Sequence, residues 1–214
     1  MKNILDELAI KYNTDKSSKS HNYTKIYDKY LNSIREQKLN ILEIGVLNGS
    51  SLNMWSEYFP NSQIYGLDIN PDCKKYEKDN IKVIIGSQDD EEFLQKNIKP
   101  IKFDLIIDDG SHLSRHQIKS FINLFESLNS DSYYIIEDTC CSYWSSHEGG
   151  FKKENTAIEY FKDKVDDVNF FGFKGDLYDR KREYITSLKK DLTFFEKNIN
   201  SIHFYNSVII IEKV

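Results

Sequence analysis

The most constraining feature of the sequence is the run Phe103–His112, in which an apolar segment leads directly into polar side chains. A continuous apolar run of this length is typical of a strand buried on both faces, as in the parallel sheets of α/β proteins. Ligands of such sheets bind at the carboxyl ends of the strands. The run therefore predicts that Asp108, Asp109 and His112 lie at a candidate active site.

A second run repeats this design. Tyr133–Ile136 is aromatic and apolar, and Glu137 and Asp138 follow it. Because the carboxyl ends of parallel strands meet at one edge of the sheet, we expect the two acidic ends to share a single crevice. Acid-base groups and oxygen ligands for a metal ion are thus predicted to converge there.

Strand and helix patterns alternate along the chain. Further strands are predicted at 39–46, 63–69 and 81–86, helices at 3–11, 113–128, 154–165 and 182–198, irregular chain at 166–181, and a closing hairpin at 202–211 that turns at Asn206-Ser207. We expect a Rossmann-like, doubly wound, mostly parallel sheet of seven strands with a C-terminal antiparallel hairpin. Residues 1–38 are predicted to form an N-terminal helical cap on a single domain, 39–214.

Composition and charge exclude several partners. The net charge is −5, and the basic residues are interspersed with acidic ones, so the phosphate-neutralising surface that nucleic acid requires is missing. The three cysteines have no disulfide or metal-finger spacing. No apolar run approaches the roughly 18 residues that cross a bilayer, and the N-terminus lacks the apolar stretch of a signal peptide. We expect a cytoplasmic protein with no membrane or nucleic-acid partner.

The first strand ends in a glycine turn. Gly45 and Gly49 lie ahead of a helix that starts near Leu52, which places a helix N-terminus where a ligand can bind. The glycine spacing does not form GxGxxG, which argues against NAD. Asp68 follows the turn by about twenty residues, the offset at which an acid binds ribose hydroxyls. After the third strand, Asp89 or Asp90 is expected to cap a helix.

Several of these residues also have structural interpretations. Asp109–His112 is equally compatible with a turn and helix cap. His116 lies one helical turn beyond His112, so the two histidines suggest either a zinc-binding pair or a solvated helix surface. Tyr143 and Trp144 suit an aromatic wall for a sugar ring or simple core packing. His147 either reaches the acceptor or faces water. The residues alone leave these alternatives open.

The segments Glu43–Val46, Gly49 and Gly66–Asp68 resemble the S-adenosylmethionine site of class I methyltransferases. A larger set resembles the metal-dependent sugar O-methyltransferases of the macrocin and mycinamicin type. That set comprises Tyr12–Lys16, Tyr23-Thr24, Leu52–Trp55, Gly86–Gln88, Ile107–His112, Ile136–Asp138 and Tyr143-Trp144. The resemblance covers residues 5–150 and the hairpin, whereas 151–200 match no pattern of the family.

The resemblance implies a role for each matching position. The cofactor side would comprise Glu43 and Gly45 near the methionine part, Asp68 at the ribose, Gln88 and Asp108 near the adenosine, and Tyr23 and Thr24. The metal ligands for Mg²⁺ would be Asp109, Glu137 and Asp138, His112 would be the general base, and the substrate side would comprise Tyr143, Trp144 and His147. Ser87 departs from the family, which often has aspartate there, and self-association is also implied.

The chemistry of the residues agrees with these roles. Methyl transfer needs a deprotonated acceptor oxygen, and a hard, oxygen-ligated cation orients hydroxyls and favours the alkoxide. A nearby histidine can accept the proton. Neighbouring strand residues point to opposite faces, so Asp108 and Asp109 can serve cofactor and metal separately. By the same rule, Glu137 and Asp138 can share an ion only if the chain turns out of the strand there.

The sequence therefore predicts an S-adenosylmethionine-dependent, Mg²⁺-assisted O-methyltransferase. Its acceptor would be a hydroxyl of a sugar, a glycan or a sugar-bearing metabolite. One alternative is a NAD-dependent oxidoreductase on the same kind of sheet. Another is a catalytically silent accessory subunit that binds the cofactor.

Overall fold

A single sheet organises the computed structural model, which describes residues 3–174 and 191–214. Its strands are β1 (Asn40–Ile44), β2 (Gln63–Asp68), β3 (Ile81–Ile85), β4 (Phe103–Asp108), β5 (Leu128–Ile136), β6 (Ile199–Tyr205) and β7 (Val208–Lys213). They are arranged in the order β3-β2-β1-β4-β5-β7-β6. β1 to β5 are parallel, and β7 runs antiparallel to both β5 and β6. The predicted sheet and its terminal hairpin are confirmed.

Helices cover both faces of this sheet. The α-helices of five or more residues are Ile4–Lys11, Thr24–Leu31, Ser50–Tyr58, Ser114–Leu124, Ala157–Val168, Phe170–Lys174 and Phe194–Asn198. The other helical segments are the 3₁₀ turns Asn32–Ile34, Pro71–Tyr76, Phe125–Ser127, Thr139–Tyr143 and Ser145–His147, the single α-helical turn Glu91–Phe93 and the π-helical turn Leu94–Ile98. None of the helices in the two described ranges is both long and apolar enough to cross a bilayer.

Most of the predicted helices are confirmed, with shifted ends. The predicted cap of the turn after β3 is Asp90, whose carboxylate accepts from the backbone N–H of Phe93, whereas Asp89 pairs with Lys119. The irregular chain predicted for 166–181 is wrong over its described part, which is largely helical as far as residue 174. Of the helix predicted at 182–198, residues 182–190 lie outside the described residues and Phe194–Asn198 is helical.

Alternate side chains of the strands enter two apolar layers, one on each face of the sheet. On β4, Leu105 and Ile107 enter the layer beneath the N-terminal helices and Ser50–Tyr58, while Ile106 enters the layer beneath Ser114–Leu124. All three side chains are completely buried. A parallel sheet covered on both faces requires this composition, which explains the unbroken apolar run in the sequence.

The N-terminal segment is part of the first apolar layer. Tyr27 is completely buried, and its ring lies 5.7 Å from the ring of Trp55. The carboxylate of Asp6 accepts hydrogen bonds from Ser18 and Thr24, which ties the loop 12–23 to the helices on either side. The predicted division at residue 38 stays a prediction, but this packing fixes the loop against the carboxyl ends of the strands.

Truncation of Phe121 tests the second apolar layer. Phe121 is completely buried against Phe125, Tyr134 and Phe161. We expect Phe121→Ala to lower the free energy of unfolding by about 3–5 kcal/mol, because a cavity replaces the ring. Chemical denaturation followed by circular dichroism measures the change.

The neighbouring Ile122→Ala is the matched control, because Ile122 is 49% exposed. Its effect should stay within about 0.5 kcal/mol. Equal losses for the two variants would show that the layer does not pack as described.

Candidate active site

A cavity of about 540 Å³ opens at the carboxyl ends of β1, β2 and β4. Small-molecule sites usually have volumes of about 300–1,000 Å³. The chain order reverses beside β1, because β2 lies on one side of it and β4 on the other, and ligands bind at such a reversal. The predicted residues on its lining are Gly45, Asp68, Gln88, Asp109, His112 and Asp138.

Asp68 provides a fixed negative charge at one end of the cavity. Its carboxylate accepts hydrogen bonds from the backbone N–H groups of Val46 at 2.8 Å, Leu47 at 3.1 Å and Asn70 at 2.8 Å. Burial opposes ionisation, but these donors outweigh it and hold the pKa of Asp68 below its usual value. An ionised acceptor therefore faces the cavity, as hydrogen bonding to hydroxyls requires.

The turn at Gly45 brings two strand ends together. Its φ is +96°, and a Cβ on this residue would lie only 2.1 Å from the backbone oxygen of Asp109. Only glycine fits this conformation and this contact. The glycine thus allows the ends of β1 and β4 to approach each other at the floor of the cavity.

Gln88 connects the cavity to a carboxyl group beneath it. Its amide nitrogen donates to Asp108 at 3.1 Å, and its amide oxygen accepts from the backbone N–H of Ser111 at 2.8 Å. Asp108 is completely buried and does not line the cavity. Burial raises the pKa of Asp108 to about 6, although the hydrogen bond from Gln88 opposes the rise.

Asp109, His112 and Asp138 converge at the other end of the cavity. One potential ligand atom from each lies within 4.8 Å of the others. The imidazole Nε2 of His112 is 3.6 Å from the Asp138 carboxylate. Asp138 has a φ of +50°, so the chain turns out of β5 at this residue. That turn is the condition under which Glu137 and Asp138 can approach the same ion.

Glu137 lies behind this group and is almost completely buried. One of its oxygens accepts from the Tyr27 hydroxyl, and the other accepts from the Lys16 ammonium at 2.9 Å. The same ammonium is 2.5 Å from Asp109. Asp109 and Glu137 are thus close enough to share one cation. Burial and the nearby Asp109 charge raise the pKa of Glu137 well above its usual value, against the effect of Lys16.

Lys16 also contacts Glu43, at 3.4 Å. Burial disfavours the ammonium, but the carboxylates of Asp109, Glu137 and Glu43 outweigh it and raise the pKa of Lys16 well above its usual value. Glu43 itself is buried below the cavity, where it accepts from Ser51 at 2.6 Å. It therefore contacts Lys16 and Ser51 and is not among the residues that line the cavity.

The remaining predicted residues lie around the cavity. The Tyr23 hydroxyl donates to Asp138 at 2.5 Å, and Thr24 is buried and donates to Asp6. Tyr143 and Trp144 are 45% and 50% exposed, in the segment that follows Asp138. His147 lies beside them, with its ring 5.8 Å from that of Trp144. These three candidate substrate residues do not line the cavity.

His116 does not form a metal-binding pair with His112 in the described chain. Its Nδ1 is 2.7 Å from the Ser111 hydroxyl, and its Nε2 is 3.4 Å from Asp89. Lys16 and Tyr27, which contact the acidic side chains of the site, were not predicted from the sequence as site residues. Lys16 belongs to the Tyr12–Lys16 motif of the resemblance, which was the one signal that could have indicated it.

Comparison with known proteins identifies similar methyltransferases. No family model matches the chain. It is 36% identical over 178 residues to L-olivosyl-oleandolide 3-O-methyltransferase of Streptomyces antibioticus, which covers 78% of this chain and 46% of that protein. It is 32% identical to mycinamicin VI 2''-O-methyltransferase of Micromonospora griseorubida, over 98% of this chain and 52% of that protein.

A solved structure decides the relationship. MycE methyltransferase, in complex with Mg, SAH and mycinamycin VI, superposes with a TM-score of 0.86 at 32% identity, over 98% of this chain and 53% of that one. This chain is a relative of the sugar O-methyltransferases. The class I methyltransferase fold and the resemblance predicted from the sequence are confirmed. The chain spans about half the length of the sugar O-methyltransferases it matches.

The buried carboxyl of Asp108 predicts a pH-dependent stability. Since its pKa is about 6 in the folded chain and near 3.9 in an unfolded one, stability is lost as pH rises through this interval. Asp108→Asn removes the loss. Relative to the wild type, the free energy of unfolding of the variant should therefore increase by roughly 2–4 kcal/mol between pH 4 and pH 8.

Urea denaturation at both pH values measures this difference. Asp163→Asn, on the exposed side of a helix, is the control and should show no pH-dependent difference from the wild type. A pH-independent difference for Asp108→Asn would contradict burial of the charge.

Proposed function

We propose that this chain is the methyltransferase unit of an S-adenosylmethionine-dependent, Mg²⁺-assisted sugar O-methyltransferase. The observation that carries the proposal is the convergence of Asp109, His112 and Asp138 within 4.8 Å at one cavity. The relatives act on sugar-bearing compounds according to their names, and the MycE structure contains Mg, SAH and mycinamycin VI. We propose the same acceptor class here, a hydroxyl of a sugar attached to a larger molecule.

The cavity residues fit the methyl donor. In this proposal the ionised Asp68 accepts hydrogen bonds from the ribose hydroxyls, and Gln88, held by Asp108, lies at the adenosine end. The Gly45 turn admits the methionine part close to the backbone. Glu43, Tyr23 and Thr24 act from behind the cavity wall, because each contacts protein groups instead of the cavity.

The donor set also fits a hard divalent cation. Asp109 and Asp138 present carboxylates, and Mg²⁺ prefers such oxygen ligands. Glu137 is the third proposed ligand, since a carboxylate has about four acceptor positions and its two hydrogen bonds leave some of them open. The Nδ1 of His112 is buried without a hydrogen-bond partner among the described residues. This nitrogen therefore has an open position for a partner that is not a protein atom. When bound, Mg²⁺ would orient acceptor hydroxyls and favour the alkoxide.

The proposed reaction needs a proton acceptor beside the acceptor hydroxyl. The imidazole of His112 borders the cavity, and Asp138 lies 3.6 Å from its Nε2, where its negative charge would stabilise the imidazolium that forms. Tyr143, Trp144 and His147 follow Asp138 along the chain and are proposed to contact the sugar ring from outside the cavity. An apolar ring face beside polar groups suits a carbohydrate.

Removal of the Asp68 charge tests the proposed binding site for the methyl donor. We expect Asp68→Asn to weaken binding of S-adenosylhomocysteine about 10-fold to 100-fold, because a charged hydrogen-bond acceptor is worth about 1.5–3 kcal/mol. Isothermal titration calorimetry measures the affinity. Asp72→Asn removes an exposed carboxylate nearby and should bind like the wild type. Stabilisation of the wild type by NAD instead of S-adenosylhomocysteine would favour the oxidoreductase alternative.

Turnover tests the metal and the base. With glycosylated macrolide acceptors, we expect methyl transfer to stop in the presence of a chelator and to return with Mg²⁺. His112→Ala should lower kcat by about 10²–10⁴-fold, the usual contribution of a general base. His203→Ala, on β6, is the matched histidine control and should retain activity.

Full activity with chelator and in His112→Ala would refute the metal-and-base mechanism. Complete absence of turnover over a broad glycan panel would favour the silent accessory subunit.

A further inference from the structure

Lys16 is a buried lysine at the centre of the acidic group. It lies in the loop between the first two helices, and its side chain has no exposed surface. Its ammonium is 2.5 Å from Asp109, 2.9 Å from Glu137 and 3.4 Å from Glu43. These carboxylates come from the carboxyl ends of β4, β5 and β1. A single side chain from the N-terminal segment therefore bridges three strand ends.

The neighbours of Lys16 in the sequence reinforce this arrangement. Tyr27 donates its hydroxyl to Glu137, and Tyr23 donates its hydroxyl to Asp138. The N-terminal segment thus supplies hydrogen-bond donors to Asp109, Glu137 and Asp138 together. Such outer contacts fix the orientation of ligand side chains and influence metal affinity.

Carboxyl groups outnumber ammonium groups around Lys16. Three carboxyl groups, those of Glu43, Asp109 and Glu137, lie within 3.4 Å of the Lys16 ammonium, and a ligand atom of Asp138 lies within 4.8 Å of one of Asp109. Asp109 and Asp138 line the cavity beside this ammonium, where their carboxylates attract a divalent cation. A fixed positive charge beside that position also repels the incoming cation.

We propose that Lys16 is a positioning residue. As an internal counter-charge, its ammonium holds Asp109 and Glu137 in place before a divalent ion binds. The same ammonium lowers the affinity of the site for that ion. The inference rests on the proposed function, because it concerns the same metal site. The Lys16 ammonium thus has two separable effects. Without the ammonium, the metal-free protein is less stable, and the divalent ion binds more tightly.

The sign of the affinity change distinguishes this role from a purely structural one. A residue that only maintains the local structure would, when removed, distort the ligands and weaken metal binding. Removal of a counter-charge strengthens metal binding as long as the chain folds. Lys16→Met is the suitable change, because methionine is unbranched and has no charge.

The first measurement is the affinity for Mn²⁺, read by electron paramagnetic resonance in the presence of S-adenosylhomocysteine. We expect Lys16→Met to bind Mn²⁺ about tenfold more tightly than the wild type, or more. Lys213→Met is the matched control. Lys213 is also buried, but it donates to the backbone oxygens of Phe125, Glu126 and Leu128, at the opposite edge of the sheet. Its loss should reduce stability and leave Mn²⁺ affinity unchanged.

The second measurement is thermal unfolding in chelator. We expect Lys16→Met to unfold at a lower temperature than the wild type and to regain more stability than the wild type when Mn²⁺ is added. The double variant Lys16→Met/Glu137→Gln removes one charge of each sign. It should recover much of the loss in chelator, and strictly additive losses would overturn the proposed pairing. If Lys16→Met alone does not fold, this double variant carries the test.

Unchanged or weaker Mn²⁺ binding by folded Lys16→Met would overturn the proposal. That result, combined with normal Mg²⁺-dependent methylation by the wild type, would refute the role of Lys16 and leave the proposed function intact. Absence of Mn²⁺ binding in the wild type and in every variant would refute the metal part of the proposed function, and this inference with it.

Discussion

Mutual repulsion among buried carboxylates is the constraint on which the site depends. Glu43, Asp109 and Glu137 lie at neighbouring strand ends, where Glu43 and Glu137 are buried away from the water that would screen them and Asp109 is partly buried. Ionised carboxylates are stable in such surroundings only with cations or strong donors beside them. Lys16 and Tyr27 supply these from the N-terminal segment, and the site therefore depends on how that segment docks.

The docking of that segment follows from ordinary apolar packing. Leu5, Tyr27 and Leu31 are buried in the same layer as Trp55, so the segment is held by apolar contacts beside the acidic group. The layer places the loop that carries Lys16 over the ends of the strands. A stable face of the sheet and a charged site are thus built from one piece of chain, which explains why the N-terminal residues belong to the site.

The two faces of the sheet give Asp108 and Asp109 different partners. Along β1 and β4, alternate side chains enter opposite layers, so Asp108 pairs with Gln88 on one face and Asp109 meets Lys16 near the other. Adjacent carboxyl groups thereby acquire different surroundings. Relatives that share this unit are about twice as long, so the described fold accounts for one part of such a protein.

The sequence by itself determined the sheet, its order of strands and helices, the hairpin and the residues at the strand ends. These features depend on periodicity and on glycine or carboxylate positions, which are local properties. It also indicated Asp68, Asp109, His112 and Asp138, all of which line the cavity.

Only the tertiary structure decided which atoms meet. It placed Glu43 and Asp108 beneath the cavity, oriented Glu137 toward Lys16 and Tyr27, and left Tyr143 and Trp144 outside. Lys16 and Asp109 are 93 positions apart in the chain, and no local pattern encodes their contact. Burial and the pairing of charges arise from the packing of distant segments, and for that physical reason they became visible only in the folded chain.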